Sequence, residues 1–348
     1  MSINKIAIVG AGIFGCSVAL ELDKEGYEIV LFEKEADIML MATKNNHNRI
    51  HYGYHYPRSL ETTKQSLDGL LSFLANYSES ISFGFKNYYS IARENSLTSP
   101  SQFKEFCKEA GISSKIEYPD RLIMNPEMIA ESYLVEEPVY DWATLQSLVR
   151  LKISNSNIQL RLQSDFLKSS ESFDFVINCT YSNINELNSY MNVHNQSFKM
   201  QDVLIPIFES NIEKTGLTVM DGPFCSVMPK GFEERKFILY HAKYSIIEES
   251  ISGELTKNAD IISNTDIIIK DAIDYFPFLK DSKFEGYWRI NRAIPITNND
   301  QRLSEIITYN ENPNYITVFS GKVTTAIKIA KQIKLGLRTG YFNSHIYV

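Results

Sequence analysis

Residues 47–58 concentrate side chains that can exchange protons or bind anions. These twelve positions carry three histidines, three tyrosines and two arginines, namely His47, Arg49, His51, Tyr52, Tyr54, His55, Tyr56 and Arg58. An imidazole titrates near neutral pH, and a guanidinium binds an anion through a planar fork of donors. Such a cluster is costly to bury unless a ligand engages it. The segment therefore indicates part of a reaction site, with a solvated polar loop carrying aromatic anchors as the alternative.

The N-terminal residues predict an element that could hold a cofactor beside this segment. An apolar run over residues 5–9 predicts a strand, helical spacing over 11–24 predicts a helix that ends near Gly26, and residues 29–32 predict a second strand. Between the first strand and the helix, the sequence Gly10-Ala11-Gly12-Ile13-Phe14-Gly15 fits GxGxxG. In this motif the first glycine permits a tight turn, the second lets a pyrophosphate approach the backbone, and the third lets the helix pack on the strand.

A carboxylate follows the second strand where a dinucleotide site requires one. Glu33 lies 18 residues after Gly15, at a place where it could accept hydrogen bonds from the hydroxyls of an adenosine ribose. Strand, helix and acid in register predict dinucleotide binding, with a tight turn in an unrelated α/β fold as the alternative. FAD and NAD share this fingerprint, so the choice between them must come from elsewhere in the chain.

The rest of the chain predicts alternating helices and strands without repeats or a clear linker. Apolar periodicity and glycine or proline boundaries predict helices over 60–77, 100–110, 142–151 and 323–337, and strands over 158–162, 173–179, 237–240 and 315–319. At 348 residues the chain exceeds the size of most single hydrophobic cores, so two lobes are expected.

Four segments resemble the D-amino-acid oxidase superfamily of flavoenzymes, which includes glycine oxidase, sarcosine oxidase and the L-2-hydroxyglutarate oxidases. The loop over 45–59 is similar to the flavin-contacting loop of that superfamily, and 174–180 is similar to its strand beside the FAD diphosphate. Residues 286–295, followed by Asp300, resemble the strand that carries a substrate-binding arginine. Residues 319–325 resemble the final glycine motif, which begins the last helix.

This resemblance implies FAD as the cofactor and an α/β fold, α+β overall. A Rossmann-type FAD-binding domain over residues 1–85, 140–200 and 286–348 would interleave with a substrate domain over 86–139 and 201–285, built on a mixed or antiparallel sheet. The implied cofactor contacts are Gly10, Gly12, Ile13, Phe14, Gly15, Glu33, Lys34, Asn46, Arg49, His51, Thr180, Gly321, Lys322, Val323 and Thr324.

The resemblance and the residue chemistry together suggest how the site would work. His51 or His55 would take a proton from the substrate, and Arg292, with Arg289 as second candidate, would orient an anionic group. Tyr54 would form a wall of the pocket as a catalytic residue, and Tyr56 would form a wall that contacts the substrate. Arg58 would add a further substrate contact. Lys322 and the positive end of the last helix would stabilise negative charge on a reduced flavin.

Composition narrows the partners and the compartment. The net charge is −7 and the basic residues are scattered, so no nucleic acid is expected to bind. The four cysteines have neither zinc-site nor disulfide spacing, which predicts reduced thiols, no metal site and a cytoplasmic protein. Residues 6–20 superficially resemble a signal peptide, but their ordered glycines favour the βαβ unit. No integral membrane segment is expected. The expected partner is a small-molecule substrate, and the sequence does not indicate which electron acceptor reoxidises the flavin.

Two functions are compatible with these patterns. The first is an FAD-dependent oxidoreductase that removes hydride from a carbon bearing a hydroxyl or an amine in a small, polar, anionic substrate. The alternative is a non-catalytic or non-redox flavoprotein, or a flavoprotein subunit that serves a partner. Covalent attachment of the flavin through His51 or a cysteine is a further possibility.

Overall fold

The computed structural model describes residues 3–251, 255–256, 260–296, 302–340 and 342. The predicted Asp300 lies outside these residues. The strands are β1 (Lys5–Val9), β2 (Glu28–Phe32), β3 (Ile81–Ser82), β4 (Lys86–Ala92), β5 (Ser114–Ile116), β6 (Ile129–Val135), β7 (Val139–Tyr140), β8 (Gln159–Arg161), β9 (Phe175–Asn178), β10 (Phe198–Glu209), β11 (Thr215–Met220), β12 (Cys225–Pro229), β13 (Lys236–His241), β14 (Ile246–Ser250), β15 (Lys283–Pro295), β16 (Glu305–Thr308) and β17 (Tyr315–Phe319). The helices are α1 (Ile13–Asp23), α2 (Leu60–Tyr77), α3 (Pro100–Ala110), α4 (Trp142–Ser154), α5 (Ile184–Tyr190), α6 (Ile261–Tyr275) and α7 (Ala326–Thr339).

The first sheet places the glycine motif at the end of a central buried strand. Its order is β16-β17-β9-β1-β2-β8, and β1 pairs in parallel with both β2 and β9. Along β1, Ile6 and Ile8 face one apolar core, to which α1, α2, α4 and α7 contribute, while Ala7 and Val9 face a second core. A parallel strand covered on both faces is continuously apolar, which explains the run over residues 6–9.

The second sheet has nine strands and forms the other wall of the molecule. Its order is β14-β10-β13-β12-β11-β4-β6-β5, with β15 paired to β10. Strands β10 and β15 run antiparallel from the pair Phe198 and Pro295 to the pair Glu209 and Lys283. Helix α6 packs Ile268 and Ala272 into the apolar core on one face of this sheet. The expected mixed α/β fold with a mixed, largely antiparallel second sheet is confirmed.

The predicted elements at the two ends of the chain are confirmed within a few residues, and the middle holds strands that the patterns missed. Helix α3 begins with a capping box at Ser99 and ends at Gly111, whose φ is +68°. Helix α7 begins three residues later than expected, because Val323–Thr325 forms a tighter 3-10 turn. The expected domain boundary at residue 286 falls inside β15, a strand that pairs with β10 along its length. The second sheet therefore continues to Pro295.

The described helices give no sign of a membrane span. In the part of the chain that the structure describes, none of them combines the length and the apolar character that crossing a bilayer requires.

Helix α2 closely approaches the turn that precedes α7. A Cβ atom on Gly69 would lie 2.5 Å from the carbonyl oxygen of Thr324 and 2.9 Å from the Cα atom of Thr325. Both distances are shorter than van der Waals contact, so a glycine at this position lets the helix and the turn meet. The packing matters for function, because the turn follows residues 321 and 322, which line the cavity described below.

We expect Gly69→Ala to destabilise the protein, although alanine is the better helix former. The added methyl group would push α2 away from Thr324 and cost about 1–3 kcal/mol of unfolding free energy. Urea unfolding measures this change. Leu71→Ala is the control, since Leu71 is 78% exposed on the same helix and its loss should cost less than about 0.5 kcal/mol. Equal stability of Gly69→Ala and the wild type would contradict the close packing.

Candidate functional site

A single elongated cavity of about 430 Å³ connects most of the predicted site residues. It begins beside Glu33 at the end of β2, passes the glycine turn after β1, and ends between the loop of residues 45–56 and strands β10, β12, β13 and β15. The carboxyl ends of parallel strands are the usual place for a dinucleotide in this type of sheet.

The three positions of the motif are occupied by glycine for different structural reasons. A Cβ atom on Gly10 would lie 2.7 Å from the carbonyl oxygen of Cys179, and one on Gly15 would lie 1.9 Å from that of Gly10. The fold itself therefore requires both. On Gly12, by contrast, a Cβ atom would meet just the Thr43 hydroxyl, at 3.6 Å, and the backbone is extended. The space in front of Gly12 belongs to the cavity, which fits a ligand that approaches the backbone there.

Glu33, predicted to contact an adenosine ribose, is held in place by two backbone amides. Its carboxylate accepts hydrogen bonds from the amides of Ala11 at 2.8 Å and Glu35 at 3.0 Å, and the side chain lines the cavity. Each carboxylate oxygen has a second lone pair, which can accept from a ribose hydroxyl. The neighbouring Lys34 also lines the cavity, and its ammonium group donates to Glu186 at 3.1 Å.

At the other end of the cavity, three histidines present ring nitrogens that the protein leaves without hydrogen bonds. These are Nε2 of His47, Nδ1 of His51 and Nδ1 of His55, all buried. Burial lowers the pKa of all three well below 6.5; the charge of Arg49 lowers all three pKa values further, and that of Lys322 lowers those of His51 and His55. The imidazoles are therefore neutral at physiological pH, with lone pairs that can accept a proton.

Beneath the histidines lies a buried network centred on Arg49 and Glu137. Arg49 donates from Nη1 to the Tyr89 hydroxyl at 2.9 Å and to Glu137 Oε1 at 3.2 Å, and from Nη2 to Thr218 at 2.8 Å. Glu137 also accepts from the Tyr89 hydroxyl at 2.5 Å and from the amide of Tyr52 at 3.0 Å. The guanidinium predicted to contact the cofactor thus lines the cavity while it anchors the loop to the second sheet.

Lys322 enters the cavity from the turn before α7. Its ammonium group contacts the Tyr56 hydroxyl and lies 4.2 Å from the centre of the Tyr56 ring. Burial lowers the pKa of Lys322 to about 7, and the charge of Arg49 contributes. The preceding Gly321 cannot carry a side chain, because a Cβ atom would lie 2.2 Å from the carbonyl oxygen of Arg302. The turn is therefore held in place, and it presents a lysine whose protonated form a bound anion would stabilise.

The second sheet supplies the opposite wall through Arg292. Its Nε donates to Gln201 at 2.8 Å and its Nη2 to the Tyr240 hydroxyl at 2.6 Å. Tyr240 also packs edge-on against His47, with ring centroids 5.3 Å apart, and the Ser226 hydroxyl lies 3.4 Å from His47 Nδ1. The apolar side chains Val203, Ile205 and Ile290 complete this wall.

Three predicted site residues lie elsewhere, which corrects the sequence analysis. Tyr54, expected to be catalytic, is 1% exposed and donates to the carbonyl oxygen of Ser113 at 2.6 Å. Arg58 forms a salt bridge with Asp221, and Arg289 forms a bidentate one with Asp202. Among the described residues, none of the three predicted side chains lines the cavity. Their roles are in the packing and charge balance of the second sheet and its loops.

Three predicted cofactor residues also serve the fold. Gly15 packs on Gly10, and Thr324 is fully buried beneath Gly69, so both lie behind the cavity surface. Asn46 lines the cavity, but its amide nitrogen donates to the carbonyl oxygen of Ala42 at 2.6 Å and the Tyr140 hydroxyl at 2.7 Å. The remaining predicted contacts do line it, namely Gly10, Gly12, Ile13, Phe14, Glu33, Lys34, Arg49, His51, Thr180, Gly321, Lys322 and Val323.

Sequence reasoning missed Glu137, Ser226 and Tyr240. Glu137 stands in Glu136-Glu137-Pro138, a composition typical of an exposed turn, and its burial results from pairing with distant residues. Ser226 and Tyr240 lie opposite each other on β12 and β13, two strands rich in buried apolar residues, and neither strand's sequence indicates that this pair borders a cavity. No metal cluster of three or more histidine, cysteine or acidic side chains exists among the described residues. All four cysteines are buried and unpaired.

Comparisons with known proteins agree with this geometry. Residues 5–138 match the family model described as FAD dependent oxidoreductase, abbreviated DAO. A curated relative is the FAD-dependent monooxygenase FPY4 of Fusarium mangiferae, which is 27% identical over 338 residues and covers 92% of this chain and 88% of that protein.

Two solved structures share the fold across almost the whole chain. Glycine oxidase from Geobacillus kaustophilus superposes with a TM-score of 0.73 at 12% identity, covering 97% of this chain and 95% of that one. L-alpha-glycerophosphate oxidase from Mycoplasma pneumoniae, solved with FAD bound, gives a TM-score of 0.74 at 15% identity, with the same coverage of both chains.

We expect Gly12→Ala to weaken FAD binding while it leaves the fold intact. The new methyl group would occupy the space that the cavity offers to a pyrophosphate, without touching protein atoms closer than 3.6 Å. The FAD dissociation constant should rise about tenfold or more, with little change in the melting temperature of the FAD-free protein. Gly15→Ala is the matched control, because it should lower that melting temperature. Unchanged FAD affinity in Gly12→Ala would place the ligand elsewhere.

The depressed pKa of Lys322 predicts a pH dependence of stability in the FAD-free protein. Below pH 7 the folded and unfolded forms both carry the charge, and burying it destabilises the fold. Between pH 7 and 10.5 the unfolded chain holds more protons, so this contribution makes the unfolding free energy rise with pH. Lys322→Met should remove this contribution and stabilise the protein at pH 7.

Urea unfolding at pH 7 and pH 9 measures this difference. Lys331→Met is the control, since Lys331 is exposed on α7 and its replacement should leave the pH dependence as it is in the wild type. An equal pH dependence in wild type and Lys322→Met would show that the lysine is not desolvated.

Proposed function

We propose that this chain is an FAD-dependent oxidoreductase, as the match of residues 5–138 to that family model suggests, and that it oxidises a carbon bearing a hydroxyl or an amine in a small, polar, anionic substrate. One observation carries the proposal: bases and cations are concentrated at one end of the cavity. Among the described lining residues, His47, Arg49, His51, His55, Arg292, Arg302 and Lys322 lie at that end, and the acidic ones lie beside the adenosine end. A substrate that carries negative charge and must lose a proton fits this distribution.

The residues present fit FAD along the length of the cavity. Glu33 would hold the adenosine ribose, and the backbone at Gly12 and the N-terminus of α1 would hold the pyrophosphate. The isoalloxazine would then reach the end that the histidines and Lys322 line. Bound there, the flavin supplies an acceptor for a hydride from the substrate.

A neutral histidine supports the removal of a proton from the substrate. Burial keeps the pKa of both His51 and His55 low, so each imidazole is unprotonated and its lone pair is available before the reaction. A hydroxyl or ammonium group placed within hydrogen-bond distance could transfer its proton to one of them. The charges of Lys322 and Arg49 lower the pKa of both histidines, which favours release of the proton after the step.

Arg292 supports the binding of an anionic group on the same substrate. Gln201 and Tyr240 hold its guanidinium from two directions, so its orientation is fixed before a ligand arrives. The guanidinium lines the cavity opposite the histidines, and its planar donors match the two oxygens of a carboxylate. The apolar side chains Val203, Ile205 and Ile290 leave room for a short aliphatic part of the substrate.

Anaerobic mixing of the FAD-loaded protein with hydroxy acids, amino acids and sugar derivatives tests the proposed reaction. We expect the yellow flavin absorbance to bleach with at least one anionic compound. Arg292→Gln should raise the concentration needed for half-maximal bleaching about 10- to 100-fold, because a charged hydrogen bond is lost. Arg58→Gln is the matched control, since Arg58 pairs with Asp221 away from the cavity and its replacement should leave that concentration unchanged.

Two results would contradict the proposal. A panel in which no compound bleaches the bound flavin would favour the non-catalytic or non-redox alternative. An unchanged response in Arg292→Gln would show that the anionic group binds elsewhere. Because the relative from Fusarium mangiferae is an FAD-dependent monooxygenase, a measurement with ¹⁸O₂ is added: labelled product indicates oxygen insertion, whereas unlabelled product with hydrogen peroxide indicates simple oxidation.

A further inference from the structure

His51 lies between the cavity and a buried carboxylate. The imidazole lines the cavity, and its side chain is 15% exposed. On its inner side, Nδ1 has no hydrogen-bond partner and lies 3.8 Å from Glu137 Oε2. That separation exceeds a hydrogen bond by less than 1 Å, and catalytic contacts of this kind often tighten when the ligand binds.

Glu137 is an oriented acceptor: burial raises the pKa of its carboxyl, whereas the Arg49 charge and the hydrogen bonds that it accepts favour the ionised form. Its side chain is fully buried, and Oε1 is occupied by Arg49 and the Tyr89 hydroxyl. Oε2 accepts from the amide of Tyr52, which leaves one lone pair on that oxygen. His51 Nδ1, which has no hydrogen-bond partner, lies 3.8 Å from this oxygen. The carboxylate can therefore accept a hydrogen bond from a protonated Nδ1 of the histidine without losing another contact.

The two tautomers of a neutral His51 have opposite consequences for a reaction in the cavity. With the proton on Nδ1, the N–H group points to Glu137, and the lone pair of Nε2 is free for the substrate. With the proton on Nε2, a lone pair would face the carboxylate of Glu137, which is repulsive, and the nitrogen that serves the substrate could not act as a base. Glu137 thus favours the tautomer that can accept a proton.

We propose that Glu137 is a positioning residue that fixes His51 as its Nδ1–H tautomer, so that Nε2 acts as the base. The inference rests on the proposed function and names its base. In the step, the proton of the substrate hydroxyl or ammonium group would move to Nε2 and the carbon–oxygen or carbon–nitrogen bond would become double, with a bound flavin supplying the acceptor for the hydride of the same carbon. Glu137 gains no proton; its charge stabilises the imidazolium that forms.

The alternative is that Glu137 has a purely structural role, as the counter-charge of Arg49. In that case the tautomer of His51 would not depend on the carboxylate. Nuclear magnetic resonance of the FAD-loaded protein labelled with ¹⁵N-histidine separates the two roles, because protonated and unprotonated ring nitrogens have well separated shifts. The chain has six histidines, which makes the spectrum tractable.

We expect wild-type His51 to be protonated on Nδ1, and Glu137→Gln to move the proton to Nε2, since a glutamine amide can donate to Nδ1. Glu311→Gln is the matched control: Glu311 pairs with His194 at 2.9 Å, so this variant should alter the signals of His194 and not those of His51. A wild-type His51 protonated on Nε2, or a tautomer that stays the same in Glu137→Gln, would overturn the proposal. The wild-type spectrum alone decides if Glu137→Gln fails to fold.

Kinetics with a compound that bleaches the flavin provide a second test. Glu137→Gln and His51→Gln should each slow flavin reduction about 100-fold or more, and the double variant should be no slower than His51→Gln alone. Additive effects would show that Glu137 acts independently of His51. Because the tautomer is measured without a substrate, its result stands whether or not any compound bleaches the flavin.

Discussion

The buried ion pair between Arg49 and Glu137 is the interaction on which the rest of the site depends. Removing two charges from water costs several kcal/mol for each ion, so a pair of this kind persists when its remaining hydrogen bonds are satisfied. Here Tyr89 on β4, Thr218 on β11 and the amide of Tyr52 provide them. The pair therefore fastens the histidine loop to the second sheet, and it fixes where that loop meets the cofactor end of the cavity.

The same ion pair affects the electrostatics at the end of the cavity that the histidines and Lys322 line. Arg49 is neutralised on its inner side by Glu137, yet its charge still lowers the pKa of His47, His55 and Lys322. These three groups are therefore protonated less readily than in water, and each can gain a proton when an anion binds. Keeping such groups uncharged until a ligand binds avoids the cost of additional unpaired buried charges.

Local patterns could predict the part of the site that local geometry builds. The glycine motif, Glu33 and α1 are consecutive in the chain, and their spacing follows from one strand, one turn and one helix. The histidine loop was recognisable by its composition. Burial of Glu137 depends instead on strands β4 and β11, which lie far away in the chain and pair only in the folded molecule.

The arginines of β15 also show what local sequence patterns cannot predict. Arg289 and Arg292 are three residues apart, so the alternation of a strand places them on opposite faces, and just one can reach the cavity. The sequence alone does not tell which face borders the cavity, because that depends on the pairing of β15 with β10. The structure assigns Arg292 to the cavity and Arg289 to the buried Asp202.

The order of the first sheet has a consequence for how the protein is made. Its central strand β1 is flanked by β9, which emerges from the ribosome some 170 residues later, and β17 follows only near residue 315. A nascent chain therefore displays the glycine turn long before the neighbours that complete it exist. Such long-range pairing is slow and leaves apolar strand edges open in the meantime. The cavity is lined by residues from Val9 to Val323, so a site for FAD is complete only after nearly the whole described chain has been synthesised.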